Sequence, residues 1–179
     1  MRGLRPAEQA SFERLVLSYS HAAFNLTYWL LPSRVDAQDV AQDALLRAYR
    51  CFRGFEGGEA RAWLLRIVHN ACYLWLKKNR SGEPSVPFDE ELHLQIGVAP
   101  ESLATTSDDL ARLTRALKTL PPRLREVLLL RELEGCSYKE IAAITSIPVD
   151  TIMSALSRAR RQLCLELSGS AGKEALREM

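Results

Sequence analysis

The sequence is poor in the residues that build metal sites, redox pairs and membrane spans. Its 179 residues include four cysteines, Cys51, Cys72, Cys136 and Cys164, too far apart in the chain for a CxxC or a zinc-ligand pair. They read as isolated reduced thiols, since a free cysteine behaves as a small hydrophobe. The three histidines, His21, His69 and His93, are equally scattered, so neither a metal nor a cofactor is expected. A P-loop, a glycine-rich nucleotide fingerprint, HExxH and a nucleophile elbow are all missing, which argues against an enzyme and against a small-molecule substrate. The longest uncharged stretch, Leu15 to Ser33, approaches membrane-spanning length but is interrupted by Ser18, Ser20, His21, Asn25, Thr27 and Pro32. Large side chains at Phe12, Leu15, Tyr19, Leu26 and Leu30 instead predict an amphipathic core helix. The opening MRGLRPAEQ has charges but no apolar run of the signal-peptide kind, so a cytoplasmic protein is expected.

What the sequence does contain is apolar bulk, 47% hydrophobic against 26% charged, enough for real cores in one medium or two small domains. The net charge of +2 conceals segregation. Residues 1–80 carry +5, residues 81–108 carry −6 without a single basic side chain, and residues 109–179 carry +3. The acidic block holds Pro84, Pro87 and Pro100 and has no sustained helical or alternating period, which predicts a flexible linker over 81–107. Fully extended, it could reach about 90 Å at 3.3–3.6 Å per residue, so the flanking domains need not touch. Both flanks are helical in period and lack alternating β-branched runs. The expected fold class is therefore all-α, with two small helical domains over 1–80 and 108–168 and a frayed tail over 169–179.

In the first block, one helix is predicted from about Gln9 to Leu31, ending at Pro32, and a second from about Asp36. Asp36, Asp39 and Asp43 lie toward the start of the second helix and Arg47, Arg50 and Arg53 toward its end, the order that suits the helix macrodipole. Asp43 and Arg47 form an i,i+4 pair, and Val40, Ala44, Ala48 and Phe52 make the apolar stripe. Gly54, Gly57 and Gly58 break the chain before a third helix over about Ala60–Asn79. Its predicted buried face is Trp63, Leu64, Ile67, Ala71 and Leu74. Its other face carries Arg66, Asn70, Tyr73 and Lys77 and ends in Lys78 and Arg80. Such a stripe offers phosphate contacts, base hydrogen bonds and stacking together, although a merely solvated face would look the same.

The second block is more specific. A helix over about Asp109–Thr119 is followed by one that Pro121-Pro122 opens and Gly135 stops. Ser137 and Glu140 form a capping box for a short helix, Tyr138–Thr145. After Ser146-Ile147-Pro148 comes a final helix with Ile152, Leu156, Ala159 and Leu163 inward and Arg158, Arg160 and Arg161 outward. A short capped helix, a tight turn and a basic second helix predict a helix-turn-helix.

Three strings, DAQDVAQDALLRAYRCFRGF, ARAWLLRIVHNACYLWLKK and LPPRLREVLLLRELEGCSYKEIAAITSIPVDTIMSALSRARRQL, carry a resemblance that spans about Phe12 to Leu163. They are similar to the sigma-70 family of bacterial transcription initiation factors, in its small extracytoplasmic-function (ECF) group. The resemblance implies a sigma-2-like domain and a sigma-4-like helix-turn-helix domain that together direct core RNA polymerase to promoter DNA. It implies that Asp39, Gln42, Asp43, Leu46 and Arg50 dock on the β′ clamp helices of the polymerase, with further contacts to its β subunit. It places Asn70 at the position of a flipped −10 base, whose extrusion costs a few kcal/mol that a polar pocket must offset. Arg66, Lys77, Lys78 and Arg80 would hold phosphates beside it, with Tyr73 in the same stripe, while Phe52 and Phe55 are read as core.

On the −35 side, Met153, Ser154, Ser157 and Arg158 would face the major groove, with Arg160 and Arg161 nearer the backbone. Here the sequence departs from the family pattern: Met153 and Ala155 stand where relatives often carry basic residues, and Asp150 or Ser146 where they carry Gly. Each absent bidentate arginine forgoes about 1–3 kcal/mol of base discrimination. The resemblance also implies control by an anti-sigma factor, in this group often membrane-bound. Two further readings stay open on the residues alone: a stand-alone helix-turn-helix regulator, and a sigma-like adaptor that titrates an anti-sigma factor.

Overall fold

The computed structural model of the chain describes residues 5–79 and 108–175, so Arg80 and the predicted linker lie outside the described residues. Helix α1 (Pro6–Leu15) opens with proline at its first position, where the missing N–H is not needed. It stops at Val16, and a 3-10 turn over Leu17–Tyr19 leads into α2 (Ser20–Leu30). The single helix predicted from Gln9 to Leu31 is therefore two. The tighter turn advances the chain by a different angle per residue, which shifts the phase of the apolar stripe. Val16 is fully buried, whereas Leu15 and Tyr19, expected inside, are 39% and 37% exposed. Phe12, Leu26 and Leu30 are buried as expected.

Leu31 turns extended ahead of Pro32, as the residue before a proline must. Ser33 then caps α3 (Arg34–Cys51), its hydroxyl accepting the Asp36 N–H at 3.1 Å. The buried side of α3 is built from Ala37, Val40, Ala41, Ala44 and Ala48, small side chains that let α2 and α4 approach closely. A 3-10 turn over Phe52–Gly54 follows. Gly57 and Gly58 both have φ of +97°, a region open to glycine, and the chain reverses there into α4 (Ala60–Asn79). Phe12, Tyr49, Phe52, Phe55 and Trp63 form one aromatic cluster with successive ring centroids 5.1–6.3 Å apart. Phe52 and Phe55 are thus core groups.

The second half comprises α5 (Asp108–Thr119), α6 (Pro122–Glu132), α7 (Tyr138–Thr145) and α8 (Val149–Ala175). Gly135, at φ +63°, ends the α6 turn, and the Cys136 N–H returns to the Leu130 carbonyl at 2.9 Å. The capping box at α7 has both its bonds: Ser137 N–H to Glu140 Oε2 at 2.7 Å and Glu140 N–H to Ser137 Oγ at 3.2 Å. Ile152, Leu156 and Ala159 of α8 are buried, and Leu163 packs against the same core. The helix runs on through Ala175, into the tail expected to fray from residue 169. It packs along α5, whose Arg112 donates to the Leu167 carbonyl at 3.4 Å, and no proline follows to end it.

The two halves pack against each other, α4 on α7 and α2 on α6, and share one continuous apolar core. This contact explains a departure on α4. Leu64 and Ala71 are buried and Trp63 and Ile67 half-buried as expected, but Leu74 is 56% exposed and Leu65, Val68 and Cys72 are buried instead. The buried arc of α4 serves α7 of the other half as well as α2 and α3 of its own, and so it is rotated away from Leu74. Among the described residues every regular element is helical, and no helix is long and apolar enough to cross a membrane.

Candidate nucleic-acid interface

Helix α4 presents Arg66, Asn70 and Lys77 to solvent on one side, spaced so that they line up along the helix. Lys77 and Lys78 fall in its last turn, where cations complement the helix dipole. An amide flanked by cations can donate to and accept from a base edge while the cations hold phosphates. Tyr73, expected on this stripe, is turned aside. It is half-buried, and its hydroxyl donates to Glu126 Oε2 of α6 at 3.0 Å.

Glu126 is fully buried where the halves meet. Its Oε1 lies 2.6 Å from His69 Nδ1, and the His69 and Tyr73 rings pack with centroids 4.6 Å apart. Burial, reinforced by the nearby Glu126 charge and hydrogen bond, pushes the Tyr73 hydroxyl well above its ordinary range, so it stays a donor.

Further polar contacts cross the same interface. Arg61 reaches the Glu134 carbonyl at 2.6 Å and Glu140 Oε1 at 3.0 Å. Arg125, itself buried, donates across it to the Trp29 carbonyl at 2.7 Å and, within its own half, to the Lys118 and Leu120 carbonyls at 2.9 Å. Asn25 contacts Glu134 Oε1 at 3.4 Å.

None of Arg61, His69, Arg125 or Glu126 was expected to matter from the sequence. One signal was legible in retrospect. In α6 the adjacent ionisable residues Arg125 and Glu126 precede the run Val127–Leu130, and all six are buried. A short helix apolar on every side needs cover on every side, so its charges must find partners from elsewhere in the fold.

The acidic-to-basic face of α3 is open. Asp39, Gln42, Asp43, Leu46 and Arg50 are all exposed, and Asp43 and Arg47 form the expected pair at 2.6 Å. Leu46, 53% exposed amid charges, supplies an apolar centre to the patch. In the helix-turn-helix, Arg131 braces the α6–α7 junction by donating to the Cys136 carbonyl at 2.9 Å while lying 5.0 Å over the Tyr138 ring. Ser146 takes the left-handed conformation, φ +59°, that turns the chain from α7 toward α8. Met153, Ser154, Ser157, Arg158 and Arg161 are exposed on the outer side of α8. Arg160 is exposed too, but its guanidinium is paired with Glu132 of α6 at 2.6 Å.

Two helical units, the first bearing an open cation-and-amide stripe and the second a helix-turn-helix, define the class. Residues 15–82 match the family model for sigma-70 region 2, and residues 110–163 that for sigma-70 region 4. The chain is 35% identical over 169 residues to the ECF RNA polymerase sigma-E factor of Escherichia coli strain K12, covering 89% of this chain and 88% of the relative. It is 33% identical over 165 residues to the RNA polymerase sigma-H factor of Pseudomonas aeruginosa strain PAO1, covering 87% and 86%. Among solved structures it resembles the sigma factor RpoE of Bartonella quintana, crystallised with the anti-sigma factor NepR. The TM-score is 0.71 at 30% identity, over 89% of this chain and 97% of that one. The chain belongs to the ECF family of RNA polymerase sigma factors.

Proposed function

We propose that the chain acts in the cytoplasm by binding core RNA polymerase and placing it at promoters with −10 and −35 elements, as an initiation factor and not an enzyme. In this reading residues 1–80 carry polymerase docking and −10 melting, residues 108–168 carry −35 reading, and residues 81–107 tether them. Asp39, Gln42, Asp43, Leu46 and Arg50 meet the β′ clamp helices. Asn70 takes the flipped base, with Arg66, Lys77, Lys78 and Arg80 on the phosphates, while Met153, Ser154, Ser157 and Arg158 read the −35 groove beside Arg161. Arg160 must exchange Glu132 for a phosphate, which is inexpensive because an exposed ion pair contributes about 0–1 kcal/mol.

The observation that carries this reading is the separate exposure of three surfaces on one chain: the α3 patch, the α4 stripe and the outer face of α8. A helix-turn-helix regulator needs only the last. The crystallised pair of a similar sigma factor with its anti-sigma factor supports control of this chain by such a partner. Run-off transcription with purified core polymerase on a genomic promoter library tests the reading. Transcripts from a defined promoter set, dependent on this protein, are the expected result; tight specific DNA binding by the protein alone without transcripts would instead identify a stand-alone regulator.

A further inference from the structure

We propose that Asp150, at the leading end of α8, selects a cytosine in the −35 element by accepting a hydrogen bond from its N4 amine. The inference rests on the promoter reading above and names the base that one residue of that surface takes.

Three observations carry it. The first is register. Ile152, Leu156 and Ala159 are buried and fix which side of α8 faces inward. At about 100° per residue, the line opposite them runs through Asp150, Ser154, Ser157 and Arg161, all exposed and within about 60° of one another around the helix. Met153 and Arg160 fall on one flank of that line, and Thr151 and Arg158 on the other. Asp150 therefore heads the groove-facing line, in the first turn of the helix. In a helix-turn-helix it is the N-terminal part of the second helix that meets base edges.

The second is where the cations stand. No Lys or Arg occurs between Lys139 and Arg158, so the leading turns of α8 hold nothing that grips guanine O6 and N7, the commonest specific contact. Arg158, the first arginine after Asp150, lies about 12 Å further along the helix, at 1.5 Å per residue. It and Arg160 occupy the two flanks, toward the backbones that border a groove, whereas Asp150 points between them toward the bases. The charge of α8 is thus sorted, acidic at the end that meets base edges and basic where the helix reaches phosphates. Ser154, next on the central line, commits its hydroxyl proton to the Thr151 carbonyl at 2.9 Å. The head of the line consequently faces outward as hydrogen-bond acceptors.

The third is the code of the groove. Guanine shows two acceptors there, thymine an acceptor and a methyl group, adenine an acceptor beside a donor, and cytosine a donor alone. A carboxylate has acceptors only. Cytosine is the one base that meets it with no acceptor opposed, and guanine or thymine in the same place sets acceptor against acceptor, so the choice is made by repulsion as well as attraction. Met153, 45% exposed on the adjoining flank, carries no charge to offset that preference. An acidic side chain in a first turn also steadies the helix dipole, but that effect is the same on every promoter. Sequence preference is therefore the readout that separates the two roles.

The test uses the full-length chain with purified core polymerase on a promoter library randomised across the −35 element, with transcripts counted by sequencing a downstream barcode. The wild-type protein is expected to prefer a C·G pair at one −35 position by about tenfold, within the range of one good base contact. D150A should erase the preference at that position and leave the other −35 positions as they are. D150N presents a donor beside an acceptor, the pattern that fits adenine N7 and N6, and should move the preference from cytosine to adenine on the same strand. A second measurement needs no variant: an analogue without the 4-amino group, placed at that cytosine, should cost the wild-type protein about tenfold in transcription and make no further difference to D150A. The assignment is overturned by a wild-type profile with no such C·G position, by variants that keep the preference or lower transcription evenly across all sequences, or by a wild-type protein indifferent to the missing amine. If no member of the library is transcribed, the promoter reading fails and the role of Asp150 falls with it; if transcription is promoter-specific but blind to residue 150, only the role of Asp150 falls.

Discussion

Asn70 is the residue on which the −10 reading turns, because it is exposed, stands between Arg66 and Lys77, and offers both a donor and an acceptor. Asn70→Ala should lower open-complex formation about 10- to 100-fold, the range of one good base contact, with core polymerase affinity unchanged. Permanganate reactivity of the −10 thymines and a pull-down measure the two separately, and an equal loss in both would remove Asn70 from the melted strand. Ser137 makes a different kind of prediction. Both bonds of its capping box are formed, so Ser137→Ala should destabilise the fold by about 1 kcal/mol, read as a lower denaturation midpoint with the slope unchanged. This residue was legible in the sequence because a capping box needs nothing beyond four consecutive positions. Tyr73 was legible only in part: its register on α4 follows from helical spacing, but its partner lies 53 residues away.

Helix α3 shows how one element can carry stability and recognition on opposite sides. Its alanine-rich face is buried and its charged face is free, and the Asp43–Arg47 pair belongs to the free face with side chains 51% and 46% exposed. An exposed i,i+4 pair contributes about 0.3–0.5 kcal/mol, so Asp43→Arg should leave the melting temperature nearly unchanged. The same change reverses a charge in the proposed polymerase patch and should weaken association with core enzyme at least tenfold; unaltered retention in a pull-down would take α3 out of the interface. Elements whose limits are local were readable from sequence. The start of α4 and both bounds of α7 fall at the predicted residues because glycines, a capping box and a turn sit beside them. The break at Val16 was not readable, since Leu15 to Ser33 contains no strong helix breaker before Pro32. The burial of Leu65 and Cys72 in place of Leu74 was hidden for another reason: it depends on which domain docks where, and periodicity on a single helix carries no such information.

At the scale of the whole molecule, the shared core sets an alkaline limit. The Cys136 thiol is raised from 9.0 to about 11 by burial, and Cys72 and Tyr73 are shifted upward in the same sense. The unfolded chain therefore releases these protons at lower pH than the folded one does. Stability is full below about pH 9 and declines as pH climbs toward 11, each group contributing at most about 1.4 kcal/mol per pH unit. Melts followed by circular dichroism should be level from pH 7 to about 8.5 and fall above 9, and Cys136→Ala should shallow the fall. The same core has a consequence for synthesis on the ribosome. Contacts between the halves join residues 53, 57, 79 and 109 positions apart and need the second half to be present, so the first half is complete before docking can occur. At about 5–20 residues per second, the 61 residues separating the end of α4 from Glu140 take about 3–12 s to appear. Throughout that interval the emerging chain carries a finished α4 without the α7 that packs on it in the folded protein, a window in which a chaperone, or an inhibitor already present in the cell, can reach the nascent factor before its own second half does.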